Sequence, residues 1–448
     1  MRLLTLIVVL GVIQPLAADD VTVLRNEARR TNPDFVVYVP GDLDRRAQPD
    51  KVQAVAAIDR HNVHFIVTVT PSGTFLGTWT QADELHGPNQ RVVVARSLDR
   101  GRTWSVPTVV DHPEPGTENI ASWSFFVVVP HTGRVYCFYH KNIGLTDFDR
   151  GMTGVLAWRV SDDDGVTWGE RFETRIARGA IDHPDKKYPS NWVPSGWQAP
   201  IVNARGQVIC PITRWASATY HDKKKFGDRH HEAWFLRFDN IMTETDPTKL
   251  VVTTWPRGDH GIRVPHPAHP RYSAAMEPTI QNLSDGRILC LLRTMTGFIY
   301  YSVSSDFGES WSKPDVLRFV PGGPRIEHPN APCPFFKLRD GRYVLFFHNN
   351  AGTANKATGV DDWRSRNPVW TTVGREIHNP GGQPIMFGKP KAFYENGGEG
   401  RPYSGSLALY GSFVEYAGVK YWWYPDAMRF LLGKVVPEEQ LDDSWLAR

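Results

Sequence analysis

Short apolar runs, each closed by a polar turn, recur along the chain. Arg91-Val92-Val93-Val94-Ala95-Arg96, Val155-Leu156-Ala157-Trp158-Arg159-Val160 and Phe298-Ile299-Tyr300-Tyr301-Ser302-Val303 are rich in β-branched and aromatic residues and read as strands. Helical periodicity is scarce, because 34 Pro and 38 Gly interrupt nearly every long window. Each run passes into one octapeptide, Ser-x-Asp-x-Gly-x-Thr/Ser-Trp, at residues 97–104, 161–168 and 304–311. Asp accepts hydrogen bonds from the backbone that follows it, and Gly supplies the positive φ of a tight turn. The closing Trp is an apolar body that packs beneath its turn. The motif therefore predicts a stapled hairpin whose residues are structural.

Spacing counts the modules. From Ser97 to Ser161 is 64 residues, and from Ser161 to Ser304 is 143, about twice as many, as if one intervening unit lacks the octapeptide. A unit of roughly 64–72 residues fits the chain about six times, with seven as the alternative, and radial repetition of short strands describes a β-propeller. The fold class expected is all-β, one propeller domain over residues 19–448.

Residues 1–18 read as a signal peptide. Arg2 supplies the positive start, Leu3 to Val12 the apolar stretch, and Leu16-Ala17-Ala18 a cleavage site before Asp19-Asp20. The apolar run is too short for a membrane anchor, so a secreted or periplasmic protein with no membrane partner is expected. Cys137, Cys210 and Cys290 each lie inside an apolar strand run, and with Cys333 they make too few cysteines for a disulfide scaffold. Net charge is +3 with the signs interspersed, which gives no basic stripe for nucleic acid. No metal signature is present, no cofactor is implied, and a monomer is expected.

Propellers bind ligands where several blades converge on the axis, so chemistry is sought at matching ends of different repeats. Glu277 begins one strand and Arg293 ends the next, across the turn Ser284-Asp285-Gly286-Arg287, which places both charges at one edge of a hairpin. Charges bordering apolar runs are costly unless paired or functional. Tyr424 ends a late strand, Lys420-Tyr421-Trp422-Trp423-Tyr424. Arg366 lies in the loop Trp363-Arg364-Ser365-Arg366-Asn367-Pro368 with Arg364 as a neighbour. The cluster Arg60-His61-Asn62-Val63-His64 supplies two imidazoles suited to acid/base work.

The octapeptides resemble the Asp-boxes (BNR repeats) of sialidase-like propellers. The segment from Glu277 through Asp285-Gly286-Arg287 and Arg293 to the box at Ser304 is similar to the sialidase order of Glu, strand, Asp/Asn-Gly-Arg turn, strand, Arg and box. The strand pair Tyr410-Gly411-Ser412-Phe413-Val414 and Gly418 to Tyr424 resembles the pair that ends sialidases. On that resemblance Tyr424 is the nucleophile, Glu277 the base that activates it, and Arg293 and Arg366 two arms of a carboxylate clamp. The first blade departs from the pattern. Where sialidases carry an Arg-Ile-Pro, this chain has His61-Asn62-Val63-His64. Where the acid/base Asp follows Gly73-Thr74, it has Thr80-Gln81, with Asp83 and Glu84 nearby.

The resemblance implies an exo-acting glycoside hydrolase that cleaves a terminal acidic sugar from a glycan. Tyr424 and Glu277 would be catalytic, Arg293 and Arg366 would bind the carboxylate, and His61, His64 or Asp83 would supply the proton or contact substrate. Two alternatives remain open: a uronate lyase using His and Tyr, and a glycan-binding propeller without catalysis.

Overall fold

A computed structural model describes residues 18–41, 59–84, 87–195, 200–220, 230–352, 354–355, 360–361, 365–379, 381–397, 407 and 409–444. Residues 1–17, all but the last residue of the expected signal peptide, and Arg364 lie outside them. The strands form six antiparallel blades around one axis. From the inside outward, blade 1 is His61–Val69, Phe75–Ala82, Arg91–Ser97 and Thr108–Asp111, and blade 2 is Ala121–Val128, Val135–Lys141, Val155–Ser161 and Phe172–Thr174. Blade 3 is Asn191–Pro194, Val208–Trp215, His231–Phe238 and Val252–Trp255, with Ile201–Val202 added to its second strand. Blade 4 is Met276–Asn282, Ile288–Arg293, Tyr300–Ser304 and Asp315–Val316. Blade 5 is Phe335–Lys337, Tyr343–Phe347, Val369–Glu376 and Ile385–Phe387, with Lys391–Tyr394 on its third strand.

Blade 6 closes the ring. Its strands Ser412–Tyr416, Val419–Asp426 and Phe430–Val435 take their fourth partner, Phe35–Tyr38, from the other end of the chain. A helix, α1 (Ala18–Ala28), precedes that strand. Among the described residues no helix is long and apolar enough to cross a membrane.

Aromatic side chains fill the wedges between blades. Trp422 stacks on Phe346 at 4.2 Å between blades 5 and 6, while Trp423 meets Phe65, Phe75 and Trp104 between blades 6 and 1. Each such fully buried side chain contributes about 1.5–3 kcal/mol of transfer free energy. All four cysteines are buried and free.

The octapeptides form the turns between third and fourth strands of blades 1, 2 and 4. In each, the Ser hydroxyl accepts the Gly amide at 2.8 Å and donates to the Asp carboxylate. That carboxylate then accepts the amide and hydroxyl of the Thr or Ser four residues on. The bare Gly also faces the preceding blade: Gly101 lies against Trp423 of blade 6, Gly165 against Leu76 of blade 1, and Gly308 against Ile209 of blade 3. The motif thus staples one blade to the next as well as closing its own hairpin. Blade 3 lacks it, which accounts for the doubled spacing.

Gly101 has φ +88°, and a Cβ there would stand 2.3 Å from Cη2 of Trp423. Gly101→Ala is expected to destabilise by about 3 kcal/mol, from left-handed strain plus overpacking. Gly286→Ala, at φ +87° with open space around it, meets only the backbone strain, about 1–2 kcal/mol. Equal losses in urea denaturation would contradict the inter-blade staple.

Candidate active site

Bulges build the site. The innermost strands of blades 1, 2 and 4 lose register between Val63 and Ile66, Ser122 and Phe125, and Met276 and Thr279. In each gap one residue turns left-handed: His64 (φ 60°), Trp123 (φ 58°) and Glu277 (φ 43°). Such bulges re-aim a side chain at the cost of a ladder hydrogen bond. For two of them the preceding blade satisfies the freed amide. Thr80 Oγ1 accepts from the Trp123 amide at 2.8 Å, and Thr213 Oγ1 accepts from the Glu277 amide at 2.6 Å. At the matching position of blade 6, Leu409 is left-handed (φ 60°), and the next residue, Tyr410, accepts the Phe65 amide at its carbonyl.

These strand starts, with the end of one second strand and one loop, bring Glu277, Arg293, Arg366, Tyr410 and His64 together. Arg293, at the end of the second strand of blade 4, pairs through Nη1 with Glu277 Oε2 and donates from the same nitrogen to the Tyr410 hydroxyl at 3.2 Å. Tyr410 also lies 3.5 Å from Glu277 Oε1, where it donates. Arg366 is buried against the same group and donates from Nε to the Asn330 carbonyl at 3.1 Å. The His64 ring stands 4.4 Å from the Tyr410 ring and edge-on to Trp123 at 4.0 Å. Glu277, Arg293, Arg366, Tyr410, His64 and Trp123 are each between 4% and 8% exposed. Val63, Val193, Trp215, Met276 and Met295 form one buried apolar cluster with Trp123, and low local dielectric strengthens charge interactions beside it.

Two guanidiniums share one carboxylate here. Burial works against the Arg293 charge, but Glu277 and Tyr410 prevail and hold it above the usual arginine range. Arg366 is pushed below that range by burial and by the neighbouring Arg293. Among the described residues no carboxylate forms an ion pair with Arg366. An anion is therefore the ligand that the electrostatics favour.

Tyr424 stands elsewhere. Its hydroxyl shares a hydrogen bond with Thr31 Oγ1 at 2.6 Å, its ring lies 4.8 Å from that of Tyr394, and it is 1% exposed in the core of blades 5 and 6. Burial lifts its phenol well above the ordinary tyrosine range. The place beside Glu277 that the strand-pair comparison assigned to Tyr424 is held by Tyr410. The reason is radial position: Tyr410 leads into an innermost strand, while Tyr424 lies on a second strand and packs between blades. His61 starts the innermost strand of blade 1, opposite Ala82 and three residues before the bulge that turns His64 inward. Asp83 accepts from Asn89 Nδ2 at 2.8 Å, in a turn beyond the second strand of blade 1.

Asn62 and Gln81, from the stretches where the family's Arg and Asp were sought, bond within blade 1. Asn62 accepts from Trp79 Nε1 and Gln81 Nε2, and Gln81 accepts from Arg91. Sequence reasoning missed Tyr410, Trp123 and Asn330. The usable signal was their place at the start of an innermost strand, for Tyr410 and Trp123; nothing marked Asn330. Among the described residues no group of three or more His, Cys, Asp or Glu is placed to hold a metal.

An axial Arg–Glu–Tyr constellation on a six-bladed propeller with Asp-boxes defines the sialidase-like class of fold. Residues 73–377 match the model of the BNR repeat-like domain, and the chain belongs to that family. No curated protein matches the sequence. Solved structures share the fold. A Hadza microbial sialidase superposes with TM-score 0.55 at 14% identity, covering 85% of this chain and 66% of its own. A mutant NanB sialidase of Streptococcus pneumoniae gives TM-score 0.58 at 13% identity, covering 90% and 70%. The intramolecular trans-sialidase of Ruminococcus gnavus, in complex with oseltamivir carboxylate, gives 0.56 at 14%, covering 86% and 96%. This chain thus spans just under two thirds of the Hadza protein's length.

Near Tyr424 lies a second buried acid, Asp426, 3% exposed and bonded by Asn396 Nδ2 at 3.1 Å. Burial pushes its carboxyl from 3.8 up to about 6, with Arg30 and Glu27 acting in opposite directions. A carboxyl raised on folding contributes stability below its unfolded pKa and loses it as pH rises toward 6. Asp426→Asn is therefore expected to gain up to about 3 kcal/mol relative to the parent between pH 4 and pH 7. Paired urea titrations across that range check it; a pH-independent difference would contradict it.

Proposed function

We propose that this protein is an exported glycoside hydrolase that removes a terminal acidic sugar from a glycan, with Tyr410 as its nucleophile. The carrying observation is the Tyr410 hydroxyl lying between Glu277 and Arg293, with a second guanidinium, Arg366, that forms no ion pair among the described residues. The family fold supports a glycosidase-like activity.

The chemistry follows from the geometry. The substrate carboxylate binds the guanidiniums of Arg293 and Arg366 through charge-assisted hydrogen bonds. That contact sets the anomeric carbon over Tyr410. Glu277 accepts the phenol proton, and the phenolate attacks the anomeric centre to form a glycosyl-tyrosine. Arg293 touches both groups, so it stabilises the negative charge as it moves from carboxylate to phenolate and back. Tyrosine nucleophiles are the known exception among retaining glycosidases, which mostly use carboxylates. We assign protonation of the leaving oxygen to His64, whose ring packs on Tyr410. Water then hydrolyses the intermediate with configuration retained.

The His64–Tyr410 contact also favours a second reading, a uronate lyase. There the carboxylate would be neutralised by the same arginines and the proton at C5 abstracted, leaving an unsaturated product that absorbs in the near ultraviolet. Non-catalytic glycan binding is the third reading.

A panel of sialosides, uronosides and uronate-containing glycans separates these. Hydrolysis releases reducing sugar with no absorbance rise; a rise with no hydrolytic product would install the lyase. On the substrate found, Tyr410→Phe and Glu277→Gln are expected to lower kcat on the order of 10³-fold or more. Tyr424→Phe should leave turnover within about twofold and cost about 1 kcal/mol of stability through its bond to Thr31. Loss of activity on Tyr424→Phe with Tyr410→Phe active would reverse the assignment. Binding across the panel with no cleavage would favour the lectin-like reading.

A further inference from the structure

One residue holds both arginines of the clamp. Asn330 accepts Arg293 Nε on its side-chain oxygen at 2.7 Å, and its main-chain carbonyl accepts Arg366 Nε at 3.1 Å and Arg366 Nη2. A guanidinium presents five N–H groups in a rigid fork. Arg293 Nη1 is committed to Glu277 and Tyr410, Arg366 also bonds the Tyr410 side chain, and Arg293 Nη2 has no hydrogen bond among the described residues.

A neutral histidine braces the loop that carries Asn330. His328 bonds the carbonyls of Ala331 and Pro332 at 2.9 and 3.0 Å, and its ring stacks on His348 at 5.6 Å. Burial pushes His328 down to about 3, so the imidazole stays neutral. Asparagine and aspartate are nearly the same size, and a carboxylate at position 330 would set a second negative charge on Arg293 and so balance the charge of the arginine pair, with no change of backbone. The chain instead presents two neutral oxygens.

We propose that Asn330 is the specificity-determining residue of the site: by orienting both guanidiniums with neutral acceptors, it leaves one positive charge unmatched for the carboxylate of the substrate. Asn330 is a positioning residue, acting through Arg293 and Arg366. The proposal rests on the acidic-sugar reading above, and it makes a claim about the ligand-free protein that is independent of any substrate. An uncompensated buried cation is a cost that folding carries and an anion relieves.

The test is Asn330→Asp in the whole chain at pH 7 and low salt. The ligand-free variant is expected to melt higher than the parent, by on the order of 2 °C. N-acetylneuraminate and glucuronate, titrated calorimetrically, should bind it at least about tenfold more weakly than they bind the parent, while their methyl esters bind both proteins alike. Asn330→Ala, which keeps the main-chain carbonyl and loses the hold on Arg293, should weaken the acids without raising the melting point. An Asn330→Asp protein that fails to fold, or melts at or below the parent, overturns the proposal, because the added carboxylate is expected to stabilise. Unchanged affinity for the acids overturns it as well. A parent that binds none of the acids, with Asn330→Asp still melting higher, overturns the acidic-sugar reading and leaves the charge assignment of Asn330 standing.

Discussion

Two buried arginines sharing one carboxylate is the constraint on which the site depends. Arg293 is paired with Glu277; Arg366 is left with neutral partners. Beside the buried apolar cluster of Trp215, Met276 and Met295, that imbalance is only weakly screened. It orders the other features. Glu277 pairs with Arg293, Tyr410 donates to Glu277 while accepting from Arg293, and an anionic ligand completes the balance.

The scaffold supplies this geometry through its bulges. Regular strands would point alternate side chains along the axis without choosing one. Left-handed residues at His64, Trp123 and Glu277 break that alternation at matching heights, and threonines of the preceding blades satisfy two of the freed amides. Strain of this kind costs about 1–3 kcal/mol per residue and persists where surrounding structure over-determines it. Here the surrounding structure is the ring itself, closed by Phe35–Tyr38 on blade 6 and locked between blades by the Asp-box turns. The octapeptides are remote from the chemistry, and their contribution is to hold the blades in register.

Much of the fold was legible in the sequence, because turn chemistry is local. Ser-x-Asp-x-Gly-x-Thr/Ser-Trp specifies its own hydrogen bonds, and its spacing counted the blades and exposed the one without it. The Glu277–Arg293 hairpin was legible for the same reason: both ends belong to one strand pair, so their proximity follows from register. Tyr410 was not, since choosing it over Tyr424 needs the radial order of strands within blade 6. That order is set by a strand from the far end of the chain. Asn330 was invisible because its role lies in a loop carbonyl and an amide acting on two arginines from other segments. His64 was legible as an imidazole in a cluster, but its aim depends on a bulge that leaves no residue signature. The departures of blade 1 from the sialidase pattern are real: Asn62 and Gln81 form a buried network with Trp79 and Arg91 where the family has chemistry.

The central claim is that Tyr410 is the side chain that bonds to the sugar. Fluorinated glycosyl fluorides of sialic and uronic acids form the glycosyl-enzyme faster than they release it, so the nucleophile can be read by peptide mass spectrometry. The account predicts a single glycosyl increment on Tyr410, suppressed by Glu277→Gln. A label on Tyr424 or another residue, or turnover of the reagent with no labelled tyrosine, would contradict it.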